Sequence, residues 1–139
     1  MTSSADIGEQ KTVLIVDDHS PLRQVMREFL QRAFPGCSFR EAADGASALE
    51  ACNACQPQLV LMDICLPDTN GIELTVRLGN LYPGIQVIIV SHKSGEVYVE
   101  QALAAGARAY VCKDHLLTDL VPAVAAAIGI PAATDTGAS

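Results

Sequence analysis

Val13-Leu14-Ile15-Val16-Asp17-Asp18-His19-Ser20 is the stretch from which the fold can be read. Four apolar residues without alternation run straight into two carboxylates. An unalternating run of this length suits a parallel strand covered on both faces, because neither side needs a polar stripe. Three more runs have the same character: Leu59-Val60-Leu61-Met62, Val87-Ile88-Ile89-Val90 and Ala109-Tyr110-Val111-Cys112. A weaker fifth run, Ser38 to Ala42, follows the breaker Pro35-Gly36 and reads as an edge strand. Pro57 and Pro83-Gly84 punctuate the chain just before two of the others.

Between these runs the period becomes helical. Leu22, Val25, Met26, Phe29 and Leu30 recur at the spacing of one apolar stripe. Ser20 is the expected cap of that helix, and Pro21 suits its first turn. Residues 45 to 55, 71 to 81 and 95 to 105 read as three further helices. The last helix carries Leu117, Leu120, Val121, Val124, Ala125 and Ile128 on one stripe. Pro122 would break it in mid-course, so its start is placed near Thr118, which puts Pro122 in or near the first turn. Strict alternation of strand and helix implies a parallel sheet with helices on both faces, joined by right-handed crossovers. The expected organisation is one α/β domain over residues 11 to 129. A flexible N-terminal segment, 1 to 10, precedes it, and a disordered tail or truncated linker, 130 to 139, follows.

The chain of 139 residues has the length of one domain, and half of its residues are hydrophobic. Aromatics make up only 4%, so aliphatic side chains must fill the core. Nine Lys and Arg against 16 Asp and Glu give a formal charge of −7, which argues against nucleic-acid binding by this chain, since phosphate contacts need clustered cations. No apolar run reaches the roughly 20 residues that span a bilayer, and the N-terminus has no signal-peptide pattern. Five dispersed cysteines, at 37, 52, 55, 65 and 112, form no zinc-like pair of pairs, and the expected compartment is the reducing cytoplasm. Cys52 and Cys55, three apart on a helix, read as packing residues, as does Cys112 in its strand. Cys65 is the one cysteine expected near solvent.

The informative feature is what ends each run. The first is followed by Asp17-Asp18, the third by Asp63, the fourth by Ser91 and the fifth by Lys113. In open α/β sheets ligands bind outside the carboxyl ends of the strands, where the strand order reverses. Three carboxylates on one rim repel one another unless a cation lies among them. Hard oxygen donors in a shallow site favour magnesium, which needs only one or two carboxylates plus a phosphate. A lysine and a serine alongside can hold the remaining oxygens of a phosphoryl group.

Taken in order, Val16-Asp17-Asp18-His19-Ser20, Leu61-Met62-Asp63-Ile64-Cys65-Leu66-Pro67-Asp68-Thr69-Asn70-Gly71, Ser91 and Gly106-Ala107-Arg108-Ala109-Tyr110-Val111-Cys112-Lys113 resemble a two-component response-regulator receiver domain. The resemblance covers about residues 11 to 129. The Asp-Asp-His start and the helix after Lys113 look most like the receivers of LuxR-type (NarL/FixJ) transcription regulators. It implies a flavodoxin-like (βα)5 fold with strand order 2-1-3-4-5. It also implies that Asp63 is a phosphoacceptor attacking a phosphohistidine of a sensor histidine kinase or phosphotransfer protein. Magnesium would be held by Asp18, Asp63 and the backbone carbonyl of Cys65, with Asp17 acting through water. Lys113 would pair with Asp63, Ser91 would bind the phosphoryl group, and Tyr110 would turn inward as a switch. Pro67 and Gly71 would shape the loop after Asp63. Such a module is no enzyme beyond its own phosphoryl transfer and dephosphorylation, and self-association on activation is expected.

The chain departs from the pattern at three places. His92 and Lys93 follow Ser91, where a small residue is usual; Cys65 stands where Met is frequent; Asp114 replaces a common Pro. His92 is expected to crowd the approach to Asp63 or to sense its carboxylates. Other readings of the chain are a phosphorylation-independent pseudo-receiver that only binds partners, an aspartyl phosphatase and a flavin-binding protein. The retained Asp17, Asp18, Asp63, Ser91 and Lys113 weigh against the first. Cys65, in place of the second Asp of such phosphatases, weighs against the second. The lack of a Gly/Ser/Thr-rich phosphate loop after the first strand weighs against the third.

Overall fold

A computed structural model describes residues 10–133, so the flexible segment expected at 1 to 10 lies, save for Gln10, outside the described residues, as does the tail beyond 133. Five strands alternate with five helices: β1 (Thr12–Val16), α1 (Ser20–Ala33), β2 (Ser38–Ala42), α2 (Gly45–Cys55), β3 (Leu59–Met62), α3 (Gly71–Leu81), β4 (Gln86–Ser91), α4 (Glu96–Ala104), β5 (Ala109–Cys112) and α5 (Leu116–Ile128). The sheet is parallel throughout, in the order β2-β1-β3-β4-β5.

Alternate residues of each strand feed two separate cores. Val13, Ile15, Leu59, Leu61, Ile88, Val90 and Val111 face α1 and α5, where Met26, Leu30, Phe34, Leu120 and Val124 complete one core. Leu14, Val16, Val60, Met62, Val87 and Ile89 face α2, α3 and α4, against Ala48, Cys52, Leu74, Leu78 and Ala102. Both faces are thus dry, which is why the strands do not alternate in sequence. Each such Leu, Ile or Val contributes about 1.5–3 kcal/mol by leaving water. β2 is an edge strand, as expected, and β5 is the other edge, with three of its four residues only half-buried.

Some local expectations need correction. Ser20 is the first helical residue of α1; His19 occupies the cap, with extended backbone and no side-chain capping bond. Val25 is 50% exposed, because the arc of α1 against the sheet is narrow and takes only Met26 and Leu30 fully. Leu117 is 68% exposed for the same reason; Leu116, Leu120, Val124, Ala127 and Ile128 form the buried stripe of α5. That helix starts at Leu116, two residues before Thr118, and Pro122 lies inside it. The ring removes the donor for the Thr118 carbonyl, but Thr118 and Pro122 both lie on the exposed side, where solvent meets that carbonyl. Cys112 is half-buried rather than core.

The described start of the tail, residues 130–133, lies against the domain. Ile130 and Ala132 pack against the α1/α5 core, and the Ala133 amide donates to the Ala33 carbonyl at 2.7 Å. That carbonyl ends α1 and has no partner within its own helix, so the tail serves as its cap.

Candidate functional site

Four strands end on one rim. Val16 of β1 pairs in register with Met62 of β3, so Asp17 and Asp63, the next residues, emerge side by side. The Asp63 amide donates to the Val16 carbonyl at 3.1 Å, and the Asp17 amide to the Ala42 carbonyl at 3.0 Å. Here β1 has β2 on one side and β3 on the other, which is the point where the strand order reverses. Asp17 is only 1% exposed, Asp63 is buried and Asp18 is exposed. Carboxylate oxygens of all three lie within 4.8 Å of one another.

Lys113 enters from the end of β5. Its side chain is 4% exposed, with Nζ 2.6 Å from Asp17 Oδ2 and 3.2 Å from Asp63 Oδ2. The ammonium therefore makes the pair with Asp63 that the resemblance implied and bridges to Asp17 as well. Burial works against the charge of Lys113, but Asp17 and Asp63 outweigh it and hold its pKa above the ordinary lysine value. The Asp17 contact is an ion contact without hydrogen-bond alignment, so buried Oδ2 retains an unused acceptor direction. Three carboxylates against one ammonium leave a formal surplus of two negative charges. Carboxylate pairs at such separations repel by on the order of 3 kcal/mol at an effective dielectric of about 20. The all-oxygen donor set and this surplus fit a hard divalent cation such as magnesium.

The loop after β3 is held close to the site. The Cys65 amide donates to Asp63 Oδ1 at 3.4 Å, and Cys65 forms an isolated bridge with Asn70. Gly71 donates to the Ile64 carbonyl at 2.7 Å, and a Cβ on Gly71 would lie 2.0 Å from the Asp63 carbonyl oxygen. Glycine is thus the residue that lets α3 start against the backbone of Asp63. Asn70 caps α3 through Oδ1, which accepts from the amides of Ile72 and Glu73. Asp68 reaches across to α2, accepting from the amides of Gly45 at 2.8 Å and Ala46 at 3.0 Å, beside the capping box of Asp44 and Ser47.

On the other flank Ser91 is buried at the end of β4, and its Oγ accepts from the Lys93 amide at 3.2 Å. Tyr110, half-buried, donates from its hydroxyl to the Lys93 carbonyl at 2.6 Å, and burial pushes its pKa up. The Lys93 ammonium lies 5.8 Å from the centre of the Tyr98 ring. His92 is exposed, and its Nδ1 lies 3.8 Å from Asp114 Oδ1. Its charged neighbour is therefore Asp114, another of the residues at which the chain departs from the pattern.

The structure thus gathers Asp17, Asp18, Asp63 and Lys113 at one point, with Cys65 against Asp63, while the backbone of Lys93 links Ser91 to Tyr110. Sequence reasoning missed that link, the Asp68 cap and the arginines behind Asp17. Arg23 donates through Nη1 to the Asp17 carbonyl and through Nε to Glu41. The four-residue spacing of Arg23 and Arg27 on the polar side of α1 was the only hint available in sequence.

Among known proteins, the family model described as the response regulator receiver domain matches residues 13–125. The chain is 32% identical over 119 residues to the transcriptional regulatory protein DegU of Brevibacillus brevis, covering 85% of this chain and 50% of DegU. It is also 32% identical over 114 residues to the chemotaxis protein CheY of Halobacterium salinarum, covering 82% of this chain and 93% of that one. The chain spans about half the length of several transcriptional regulators that it matches. Among solved structures, a LuxR-family response regulator from Aurantimonas sp. SI85-9A1 superposes with a TM-score of 0.81 at 30% identity, covering 91% of both chains. The signal receiver domain of the putative response regulator NarL from Mycobacterium tuberculosis gives 0.77 at 28% identity, covering 86% of this chain and 97% of that one.

Proposed function

The chain belongs to the response regulator receiver domain family, and from that premise we propose that it is a magnesium-dependent phosphoacceptor switch of a two-component system. The observation that carries the reading is the buried ammonium of Lys113, held between Asp17 and Asp63 beside exposed Asp18. In this reading an Asp63 carboxylate oxygen attacks the phosphorus of a phosphohistidine on a sensor histidine kinase or phosphotransfer protein. The P–N bond breaks, the imidazole nitrogen takes a proton, and an acyl phosphate forms on Asp63. Asp18, Asp63 and the Cys65 carbonyl would hold magnesium, with Asp17 acting through water. The metal, when bound, screens the phosphoryl oxygens and aligns them for in-line transfer.

The chain's own residues do the rest. Lys113 is already charged and buried, so it can follow the new negative charge from Asp63 to the phosphoryl oxygens without large reorganisation. Ser91 Oγ donates its proton to a phosphoryl oxygen while still accepting from the Lys93 amide, which draws the Ser91–Lys93 loop towards Asp63. That shift, passed through the Lys93 carbonyl to Tyr110, alters the surface of α4, β5 and α5, where Val97 and Leu103 are exposed. We assign the chain to the LuxR-type (NarL/FixJ) group, as a cytoplasmic, non-enzymatic module that controls an output such as transcription and self-associates on activation. It does so without binding DNA itself; no described helix is long and apolar enough to cross a membrane. Incubation with magnesium and acetyl phosphate should add one phosphoryl group by intact mass, and Asp63→Asn should abolish it. Phosphoryl uptake by the Asn variant would overturn the assignment, and no uptake by the unaltered chain would favour a phosphorylation-independent interaction module.

A further inference from the structure

The peptide between Asp17 and Asp18 sets where both carboxylates point, and its carbonyl oxygen is bonded by a side chain from α1. Arg23 reaches that oxygen with Nη1. Its Nε lies 2.7 Å from Glu41 Oε1 on β2, and Glu41 Oε2 is held in turn by Arg27 Nη1 at 2.8 Å. Arg23 is 15% exposed, so its two bonds form largely away from water. The Asp17 amide is tied to Ala42 and its Oδ1 to the His19 amide at 2.8 Å. With its carbonyl also held by Arg23, Asp17 is anchored at its amide, its side chain and its carbonyl, and Arg23 is the group that holds the Asp17–Asp18 peptide itself.

We propose that Arg23 is a positioning residue for the acidic loop: pinned by Glu41, it fixes the Asp17–Asp18 peptide so that both carboxylates are aimed at a divalent cation. This rests on the reading of the site as a magnesium-dependent phosphoacceptor. The planar guanidinium suits the task, because it presents donors in two fixed directions, which an ammonium on a flexible stem does not. Glu41 shares the role: Arg27 and Arg23 hold its carboxyl below its ordinary pKa, so it stays charged at neutral pH.

Charge alone predicts the opposite effect. A cation beside the loop repels a divalent metal, so removing it should tighten magnesium binding if Arg23 acted only through its field. If Arg23 acts through position, removing it weakens binding despite the relieved repulsion. Outer partners of metal ligands commonly affect affinity by 10–100-fold.

The test is magnesium titration calorimetry on the full chain and on Arg23→Gln, Arg23→Lys and Glu41→Gln. Arg32→Gln, which removes a charge from the last turn of the same helix, serves as control. Arg23→Gln and Arg23→Lys should each weaken magnesium binding by about tenfold, Glu41→Gln by less, and Arg32→Gln not at all. In the metal-free protein, the Asp18 amide resonance should move in Arg23→Lys while resonances of α3 and β5 stay in place. That variant keeps the charge and guards against a fold lost in Arg23→Gln. Unchanged or tighter binding in Arg23→Lys and Arg23→Gln would overturn the inference, as would equal weakening by Arg32→Gln. Magnesium binding absent from the unaltered chain would instead overturn the reading of the site, and this inference with it.

Discussion

Replacing Gly71 by alanine sets two effects against each other with opposite signs. Alanine is the better helix former by about 1 kcal/mol, and Gly71 opens α3, so propensity alone predicts a small gain in stability. The structure predicts a loss. The added Cβ would lie 2.0 Å from the Asp63 carbonyl oxygen, 2.8 Å from its carbon and 3.0 Å from the Ile64 Cα, all of them backbone atoms. Non-bonded atoms prefer about 3.5 Å, so the loop or the end of β3 must yield by more than an ångström. Crowding of this kind costs about 1–3 kcal/mol. The Gly71 amide bond to Ile64 contributes about 1 kcal/mol more if it breaks. Net of propensity, the variant should be less stable by about 1–3 kcal/mol, with a Tm lower by roughly 3–10 °C by scanning calorimetry. Displacing Asp63 should also slow phosphorylation by acetyl phosphate at least tenfold, since misplacement by about 1 Å can cost a hundredfold. A Tm equal to or above that of the unaltered chain would show that the approach of α3 to Asp63 is not as tight as described.

Lys113→Met should leave Asp17 and Asp63 buried without their cation and destabilise the metal-free chain by about 3–5 kcal/mol; millimolar magnesium should then raise its Tm by more than it raises that of the unaltered chain. The contribution of Glu41 follows from its lowered pKa: it is present above about pH 4.5 and is lost as pH falls through the folded value, because the unfolded chain binds the proton first. The stability advantage over Glu41→Gln, measured by urea unfolding, should therefore be constant near pH 6 to 7 and shrink below about pH 4.5. With a thiol reagent at neutral pH, exposed Cys65 should react first, while Cys52, buried with its pKa pushed up to about 11, should react only on unfolding; mass mapping of the labelled peptide decides the order.

Much of the fold was legible because its signals are local. Runs such as Val13 to Val16 lack alternation since both faces are covered, and the helices at 45 to 55 and 71 to 81 are followed by the breakers Pro57 and Pro83-Gly84, which act within a few residues. Where local signals competed with packing, the reading failed. Pro122 looked like a barrier, yet the apolar surface of Leu116 and Leu120 holds α5 together around it on a side open to solvent. Val25 and Leu117 fit their stripes in sequence but fall outside the arc that the flat sheet covers.

The sequence by itself determined which groups reach the rim: Asp17, Asp18, Asp63, Ser91 and Lys113 each lie in or next to the end of a strand, and parallel strands deliver their ends to one side. It could not decide who pairs with whom there. That Lys113 bridges Asp17 and Asp63 depends on β1 and β3 lying in register and on the direction in which β5 ends. The Arg23 contact with Asp17, the Asp68 cap on α2 and the Ala133 cap on α1 join residues 6, 23 and 100 positions apart. Hydrogen bonds of this kind need angles and distances good to a fraction of an ångström, and residue type alone does not carry that information; only the packed arrangement of sheet and helices does.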